Sequence, residues 1–354
     1  MATGTVNGSE TGARSGAQAL LLLAAPLNCL ILRALSDRPR QQAELRRQTG
    51  SPAQTTLRAQ VKRLTEIGVI ERHRTNRFPG TLEYELTAPG RELLFVLGVL
   101  ERWLEKAPDG PLVLGGNVAK AAIKALAEGW STTMLRALAA RPLSLTELDG
   151  VIASLSYPSL ERRLGAMRLA GQVEAIPIPG RGTPYAVTDW LREGVAPLAA
   201  AARWERRYVP QASAPIGRLD AEALFLLAVP LPRLPAELSG RCRMAAEIHN
   251  GKKRRFAGVL VDVREGTIAS CATDLQGDAD ARALGSPGAW LDAVIAHDTD
   301  RLELSGDCRL ARTLLDGLHG ALFGVAPEMK GGSSSAKAIR ALEHLDLTPA
   351  PPLP

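Results

Sequence analysis

In the first third of the chain, apolar residues recur at helical spacing and short polar turns separate them. Residues 19–35 are almost continuously apolar, and Pro26 is expected to kink or divide this leading helix. After Pro39 the pattern predicts a short helix, a tight turn and a longer helix, over residues 41–48, 49–52 and 53–67. Ser51 is the predicted N-cap of the longer helix, with Pro52 as its first residue.

Residues 69–75 and 81–87 alternate between apolar and polar positions, which is typical of two paired strands. The loop Asn76–Gly80 joins them, and an amphipathic helix over residues 91–106 follows. Together with the preceding helices, these are the elements of a winged helix-turn-helix, in which the second helix of the turn enters the DNA major groove. The pattern therefore predicts that fold for residues 17–107.

The same pattern returns later in the chain. An offset of 103 aligns residues 30–71 with residues 133–174 without a gap, so that LRAL at Leu32 meets LRAL at Leu135. Beyond a small insertion or deletion, an offset of 101 pairs three further positions: Tyr84 with Tyr185, Thr87 with Thr188 and Trp103 with Trp204. We interpret residues 118–208 as a second winged helix-turn-helix copy.

The second copy is expected to contain the same elements in the same order. Its helices before the wing are predicted over residues 118–139, 145–152 and 157–169. Its two strands are predicted over residues 172–178 and 184–188, with the wing loop Pro179–Thr183 between them. The closing helix is predicted over residues 190–208.

Beyond a proline-containing linker, residues 209–217, the spacing changes from helical to strand-like. Strands are predicted over residues 241–249, 254–263, 267–274, 278–286 and 302–306. The pairs Asn250-Gly251 and Glu265-Gly266 are expected to form hairpin turns between the first three of them.

Two helices are predicted in the same part of the chain. Ser286 is the expected cap of a helix that begins at Pro287, and residues 308–323 are amphipathic. A sheet with helices on one side makes residues 219–324 a small α+β domain, and the chain as a whole is then of the α+β class. Residues 1–16 and 325–354 are expected to be mostly flexible, apart from a short helix over residues 336–345.

Positive charge is concentrated in the two copies. Residues 30–106 hold 14 Lys and Arg against 9 Asp and Glu, and residues 120–208 hold 12 against 8. Residues 219–324 hold 12 against 15. The basic excess in the copies favours a polyanionic partner such as double-stranded DNA, whereas the last third of the chain is acidic.

The candidate DNA contacts lie on the outward face of each second helix and in each wing. Amides and guanidinium groups recognise base edges, and wing arginines suit phosphates or a narrow minor groove. The first copy supplies Gln54, Thr55, Thr56, Arg58, Lys62, Arg63, Arg72, Arg74 and Arg77. The second copy supplies Ser156, Tyr157, Ser159, Arg162, Arg163 and Arg181.

For any one of these residues, a solvated helix face is an equally good interpretation, and winged helices also bind proteins. The two copies have moreover diverged. Glu161 is aligned with Arg58, and Pro158 is aligned with Thr55. We therefore expect unlike half-sites, or weak DNA binding by the second copy.

Four segments resemble the HxlR family of bacterial winged-helix regulators. They are RQQAELRR (Arg40–Arg47), the LxxxVKRLTEIGVIER pattern (Leu57–Arg72), FPGTLEYELTAPGRELL (Phe78–Leu94) and GWSTTMLRAL (Gly129–Leu138). The resemblance covers about residues 17–208. Members of that family usually carry one such domain and dimerise. The resemblance therefore implies that this polypeptide contains both halves of such a dimer, with the leading helices packed across a pseudo-twofold axis.

The last part of the chain resembles the sterol carrier protein type 2 domain. The resemblance covers about residues 234–324, through the order of the hairpins, GSPGAWLDAVIA (Gly285–Ala296) and SGDCRLARTLLDGLHGALF (Ser305–Phe323). It implies a tunnel for lipids or other apolar molecules. The residues that would line it, or form the core beside it, are Phe256, Val259, Val261, Ile268, Trp290, Leu291, Val294, Leu314, Leu315, Leu318 and Phe323.

Other functional classes find less support. The four cysteines, at positions 29, 242, 271 and 308, lie far apart, so we expect neither disulfides nor a metal site, and a cytoplasmic protein. The apolar run over residues 19–32 is short for a membrane helix, and a signal peptide is the weaker alternative. No nucleophile, base and orienting residue fall together, so we expect neither an enzyme nor a cofactor.

The favoured hypothesis is a ligand-responsive bacterial transcriptional regulator. The two copies would bind double-stranded DNA as a pseudo-dimeric monomer, or within a homodimer, and the last domain would sense an apolar small molecule. The alternative is a small-molecule sequestering or resistance protein whose winged helices bind ligand or protein. A third hypothesis, an architectural chromosome protein, is disfavoured by the acidic last domain.

Overall fold

The computed structural model describes residues 14–74, 80–127, 132–153, 155–176, 183–211, 213–250 and 253–324. The expected flexible ends lie almost entirely outside the described residues, as do the predicted helix over residues 336–345 and most of both predicted wing loops. We divide the described chain into an N-terminal region (residues 14–107), a middle region (residues 117–208) and a C-terminal region (residues 218–324).

The N-terminal region contains the predicted elements in the predicted order, together with one short strand, β1, that was not predicted. They are α1 (Ala17–Leu23), α2 (Pro26–Ala34), β1 (Arg40–Gln41), α3 (Gln42–Gln48), α4 (Gln54–Glu66), β2 (Ile70–Arg74), β3 (Leu82–Leu86) and α5 (Ala88–Glu105). Pro26 divides the leading helix, since α2 starts at this residue and is bent by 81° from α1. The strands β2 and β3 pair antiparallel, and β1 adds a third strand beside β3.

The predicted role of Ser51 is wrong. Ser51 has φ 55°, in the left-handed region, and its backbone N–H donates to the carbonyl oxygen of Arg46 at 2.8 Å. Gly50 before it has φ 80°. The backbone of these two residues therefore closes the C-terminus of α3, as left-handed residues commonly do. The next helix starts only at Gln54, with Ala53 as its N-cap.

The middle region follows the same order of elements, except that a single bridge between Leu143 and Tyr185 replaces β1. They are α6 (Asn117–Ala127), α7 (Thr132–Ala140), α8 (Leu145–Val151), α9 (Tyr157–Leu169), β4 (Val173–Ala175), β5 (Tyr185–Val187), α10 (Asp189–Glu193) and α11 (Val195–Tyr208). The predicted leading helix corresponds to α6 and α7, on either side of residues 128–131. The predicted closing helix is divided at Gly194. This division places Pro197 in the first turn of α11, where its missing N–H leaves no partner unsatisfied.

The C-terminal region is a mixed sheet with helices. Its elements are α12 (Arg218–Ala228), β6 (Gly240–Asn250), β7 (Lys253–Arg264), β8 (Thr267–Ala272), β9 (Ala281–Gly285), α13 (Pro287–Ala296), β10 (Glu303–Gly306) and α14 (Cys308–Phe323). The strand order is β10-β9-β6-β7-β8, antiparallel except between β6 and β9. As predicted, Ser286 caps α13, because its Oγ accepts from the N–H of Ala289 at 3.2 Å. The helix α12 was not predicted, and it packs against both α7 and β7.

Buried apolar residues form one cluster that runs through all three regions. The helix α1 belongs to this cluster and packs against α6 and α11. In the described part of the chain, no single helix is both long and apolar enough to cross a membrane; α1 and α2 reach that length only together, across their bend.

Candidate nucleic-acid interface

The helix α4 turns one face to the core and the opposite face outward. Leu57, Val61 and Leu64 are buried and recur at three- and four-residue intervals. This spacing leaves the predicted contacts on the solvent side, and all six on this helix are exposed: Gln54, Thr55, Thr56, Arg58, Lys62 and Arg63. The arrangement presents amide, hydroxyl and cationic groups together, as recognition of base edges requires.

Cations continue from α4 onto the adjoining hairpin. Arg72 and Arg74 lie two residues apart on β2, so they share a face of the strand, and both are exposed. Arg77 lies outside the described residues. The described part of the hairpin therefore offers two arginines that could reach a phosphate backbone beside α4.

The helix α9 has a similar core face but a different outer face. Leu160, Leu164 and Met167 are buried. Of the predicted contacts, Ser156, Tyr157 and Arg162 are exposed, Ser159 and Arg163 are half-buried, and Arg181 lies outside the described residues. The predicted contacts of the middle region are thus less accessible than those of α4.

The two helices each hold three cations and one glutamate, but these charges lie at different positions. The offset of 103 places Glu161, Gly165 and Ala166 where α4 has Arg58, Lys62 and Arg63. Arg168 was not among the predicted contacts; it is an exposed cation whose guanidinium lies 5.5 Å from the centre of the Tyr185 ring. Its only signal in the sequence was its place in the last turn of α9.

A charged cluster holds α3 against the end of α2. Arg40 is 9% exposed and donates to both carboxylate oxygens of Asp37 at 3.0 Å, to Glu44 and to the carbonyl oxygen of Ala34. Burial raises the pKa values of Asp37 and Glu44, but hydrogen bonds and nearby arginine charge outweigh it and bring both pKa values below their ordinary range. The aligned position in the middle region is Leu143, which carries no charge.

In the middle region a capping box fixes α8 instead. The Oγ of Ser144 accepts from the N–H of Glu147 at 3.3 Å, and the Glu147 carboxylate accepts from the N–H of Ser144 at 2.8 Å. That backbone hydrogen bond, followed by one from Arg141, lowers the pKa of Glu147 to about 2. The ion pairs Arg38–Glu44 and Arg141–Glu147 are equivalent at the offset of 103, so α3 and α8 share this contact and differ in Arg40 and in the capping box.

The residues predicted to line an apolar tunnel lie mostly in the core of the C-terminal region. Val259, Val261, Trp290, Leu314, Leu315, Leu318 and Phe323 are buried, Ile268, Leu291 and Val294 are half-buried, and Phe256 is 42% exposed. The indole N–H of Trp290 donates to the carbonyl oxygen of Ala245 at 2.9 Å. Leu291 also borders a cavity of about 30 Å³, near the space of a single water molecule.

A larger groove lies elsewhere in the C-terminal region. It has a volume of about 480 Å³ and runs between residues 231–235 and α14. Leu231, Leu234, Gly317 and Ala321 supply apolar walls, and Arg233, Thr313 and Asp316 supply polar groups. None of the predicted tunnel residues borders it. Among the described residues, no three His, Cys, Asp or Glu side chains lie together as a metal site requires.

Three solved structures show similarity to parts of the chain. The diamide-treated YodB from B. subtilis is 27% identical, over 25% of this chain and 88% of that one, with a TM-score of 0.24. The protein described as a proposed HTH-type transcriptional regulator, ytcD, is 31% identical over 24% of this chain and 88% of that one, with a TM-score of 0.23. A MarR-family protein from Enterococcus faecalis V583 is 22% identical over 29% of this chain and 90% of that one, with a TM-score of 0.24.

Among curated proteins, none matches the chain. Residues 22–109 match the family model of the HxlR-like helix-turn-helix. This match spans α2 to α5 and includes every described candidate DNA contact of α4 and β2. Residues 22–109 therefore form an HxlR-like helix-turn-helix domain.

Proposed function

We propose that the chain is a transcriptional regulator that binds duplex DNA through the N-terminal and middle regions, which act as a single-chain counterpart of a dimer. The exposed amides, hydroxyls and cations of α4 support DNA binding by the N-terminal region. The middle region would be a second winged helix-turn-helix with its own recognition helix, α9.

The observation that carries this proposal is a pair of equivalent contacts between the two regions. The indole N–H of Trp103 donates to the carbonyl oxygen of Trp190 at 2.8 Å, and that of Trp204 donates to the carbonyl oxygen of Pro89 at 2.8 Å. The offset of 101 relates Trp103 to Trp204 and Pro89 to Trp190. Exchanging the two regions therefore converts each contact into the other, as at a twofold dimer interface.

Contacts inside each region are repeated as well. The hydroxyl of Thr87 donates to the carbonyl oxygen of Gly68 at 2.6 Å, and that of Thr188 to the carbonyl oxygen of Gly171 at 2.8 Å. Both threonines cap the helix that follows the hairpin. Both glycines have φ near +70° and end the DNA-facing helix. This agreement supports a common fold for the two regions.

Selection of a randomised duplex pool near physiological salt tests the proposal. We expect two related but unequal half-sites, about 10–10.5 base pairs apart, because two equivalent helices face one side of the duplex while their side chains differ. If no sequence is enriched and binding disappears as salt rises, only non-specific phosphate contact remains and the proposal is rejected.

We further propose that the C-terminal region binds an apolar effector. The groove beside α14 supports this, since about 480 Å³ is within the range of small-molecule sites. An effector regulates only if it prefers one arrangement of the DNA-facing helices. Isothermal titration with a medium-chain fatty acid, alone and with the selected duplex, is the test. Equal affinity in both titrations would exclude regulation by this ligand class, and tight binding without specific DNA binding would favour sequestration.

A further inference from the structure

Charged side chains from all three regions meet at one point. Arg203, on α11, donates from Nη1 to Oε1 of Glu92 on α5 and from Nε to Oδ1 of Asp292 on α13, in both cases at 2.8 Å. These three side chains are only 17–23% exposed. We call them the Arg203 cluster.

Additional donors occupy both carboxylates of the Arg203 cluster. The hydroxyl of Tyr208 donates to Oε2 of Glu92 at 2.7 Å, and Arg207 lies 3.3 Å from the same oxygen. Arg301 lies 3.2 Å from Oδ2 of Asp292. Charges that are largely withdrawn from water are costly to leave unpaired. Separation of α13 from α11 would therefore leave Asp292 without Arg203, and separation of α5 from α11 would leave Glu92 without its three donors.

The offset of 101 relates Arg203 to Arg102, on α5. Arg102 donates to the carbonyl oxygen of Phe323, at the end of α14, at 2.8 Å. The ring of Phe323 also stacks on that of Phe95, with centroids 6.1 Å apart. The C-terminal region thus contacts both α5 and α11 through arginines at equivalent positions, although the two arginines reach different helices of that region.

We propose that the C-terminal region is a clamp across α5 and α11, in which the bond between Arg203 and Asp292 fixes the spacing of α4 and α9. The helices α5 and α11 carry the equivalent tryptophan contacts, and a folded body attached to both limits their relative rotation. A change in their angle would move α4 through α2, which packs against both α4 and α5. It would move α9 through β4, which packs against α9 and pairs with β5, the strand before α10 and α11. The effect on DNA rests on the proposed function, whereas the clamp itself does not.

The test compares Asp292→Asn, which keeps the size of the side chain and removes its charge, with Asp300→Asn. Asp300 is exposed and follows α13, so it is a matched control. Hydrogen exchange of the full chain reports local opening at α11 and α13. Affinity for duplexes whose selected half-sites are moved a few base pairs either way reports the spacing of the DNA-facing helices.

We expect Asp292→Asn to raise exchange in residues 203–208 and in α13 about fivefold or more relative to Asp300→Asn. It should also reduce the ratio between the affinities for the selected and the shifted half-site spacings from about tenfold to about threefold or less. Equal exchange in the two variants would overturn the clamp. Raised exchange in a chain without specific DNA binding would support the clamp and reject the proposed function. Arg102→Gln is the second variant, and it should raise exchange at the end of α14.

Discussion

The indole rings of Trp103 and Trp190 lie flat against each other, with centroids 4.5 Å apart and planes within 3° of parallel. Each indole N–H also donates to the backbone carbonyl oxygen of the other residue, at 2.8 and 2.9 Å. Trp103 lies on α5 and Trp190 on α10, and both are buried. This pair joins the N-terminal region directly to the middle region.

Replacing Trp103 with Phe should lower the free energy of unfolding by about 1–3 kcal/mol, because the carbonyl oxygen of Trp190 keeps only the N–H of Gly194 as donor and the ring stacked on Trp190 becomes smaller. Urea-induced unfolding measures this change. Trp204→Phe is the matched variant, since it removes the equivalent bond to Pro89, and we expect a loss in the same range. Losses below about 0.5 kcal/mol in both variants would contradict a structural role for the pair of contacts.

Glu205 should be a second point of attachment between regions. Its carboxylate is 1% exposed and accepts from the N–H groups of Gly16 at 2.7 Å and Ala19 at 2.9 Å, at the start of α1. Glu205→Ala should lower the free energy of unfolding by about 1–3 kcal/mol, since these donors lose their partner. The exposed Glu161→Ala is the control and should change it by less than about 0.5 kcal/mol.

The effect of Glu205→Ala should also depend on pH. Burial raises the pKa of Glu205, and hydrogen bonds from Ala19 and Gly16 oppose this only in part. The folded protein therefore binds the proton more readily than the unfolded chain, so the contribution of Glu205 to stability falls as pH rises from about 4.3 through the raised pKa. Unfolding measured across this window should show a larger loss on the acid side. A loss that grows with pH would contradict this interpretation.

Arg40→Leu introduces the residue of the aligned position, Leu143, and should flatten the acid side of the stability curve. In the wild type, Asp37 and Glu44 have pKa values below their ordinary range, so their contribution is present above about pH 4 and is lost as pH falls through the depressed values. Without Arg40 this loss should be smaller. Thermal unfolding at a series of acid pH values measures it, with the exposed Arg63→Leu as control; identical pH profiles would exclude the assigned role.

The two candidate recognition helices, α4 and α9, should respond differently to substitution. Arg58→Ala should weaken binding of the selected duplex by about 1–3 kcal/mol and relax specificity at one base pair. Lys62→Ala should weaken binding to selected and unrelated duplexes alike and reduce the salt slope by about one. Glu161→Arg gives α9 the residue that α4 has at the aligned position, Arg58, and should strengthen binding of the selected duplex. Unchanged base preference after Arg58→Ala, measured by competition, would remove that residue from the interface.

Local signals explain what the sequence could predict. The bounds of α9 and α14 were correct because apolar spacing, turn residues and end signals agree there. The cap at Ser286 is likewise a contact between neighbours in the chain. Ser51 was assigned to the wrong helix because a polar residue between two helices can close one or open the other, and only the backbone conformation at Gly50 decides.

Long-range contacts explain what the sequence could not predict. Arg203 lies 111 residues from Glu92 and 89 residues from Asp292, so no local pattern indicates that they meet. The groove beside α14 also depends on chain segments that are distant in sequence, residues 231–235 and 313–321. Equivalent contacts such as that of Trp204 with Pro89 become recognisable only when the repeat is combined with the geometry.

The most direct test of the single-chain dimer is the stoichiometry of the complex with the selected duplex. Sedimentation equilibrium gives the mass of the complex, and hydroxyl-radical footprinting gives its extent on the DNA. We predict one chain per duplex, with two protected segments one helical turn apart on the same face. Two chains per duplex, each protecting a single segment, would contradict the account.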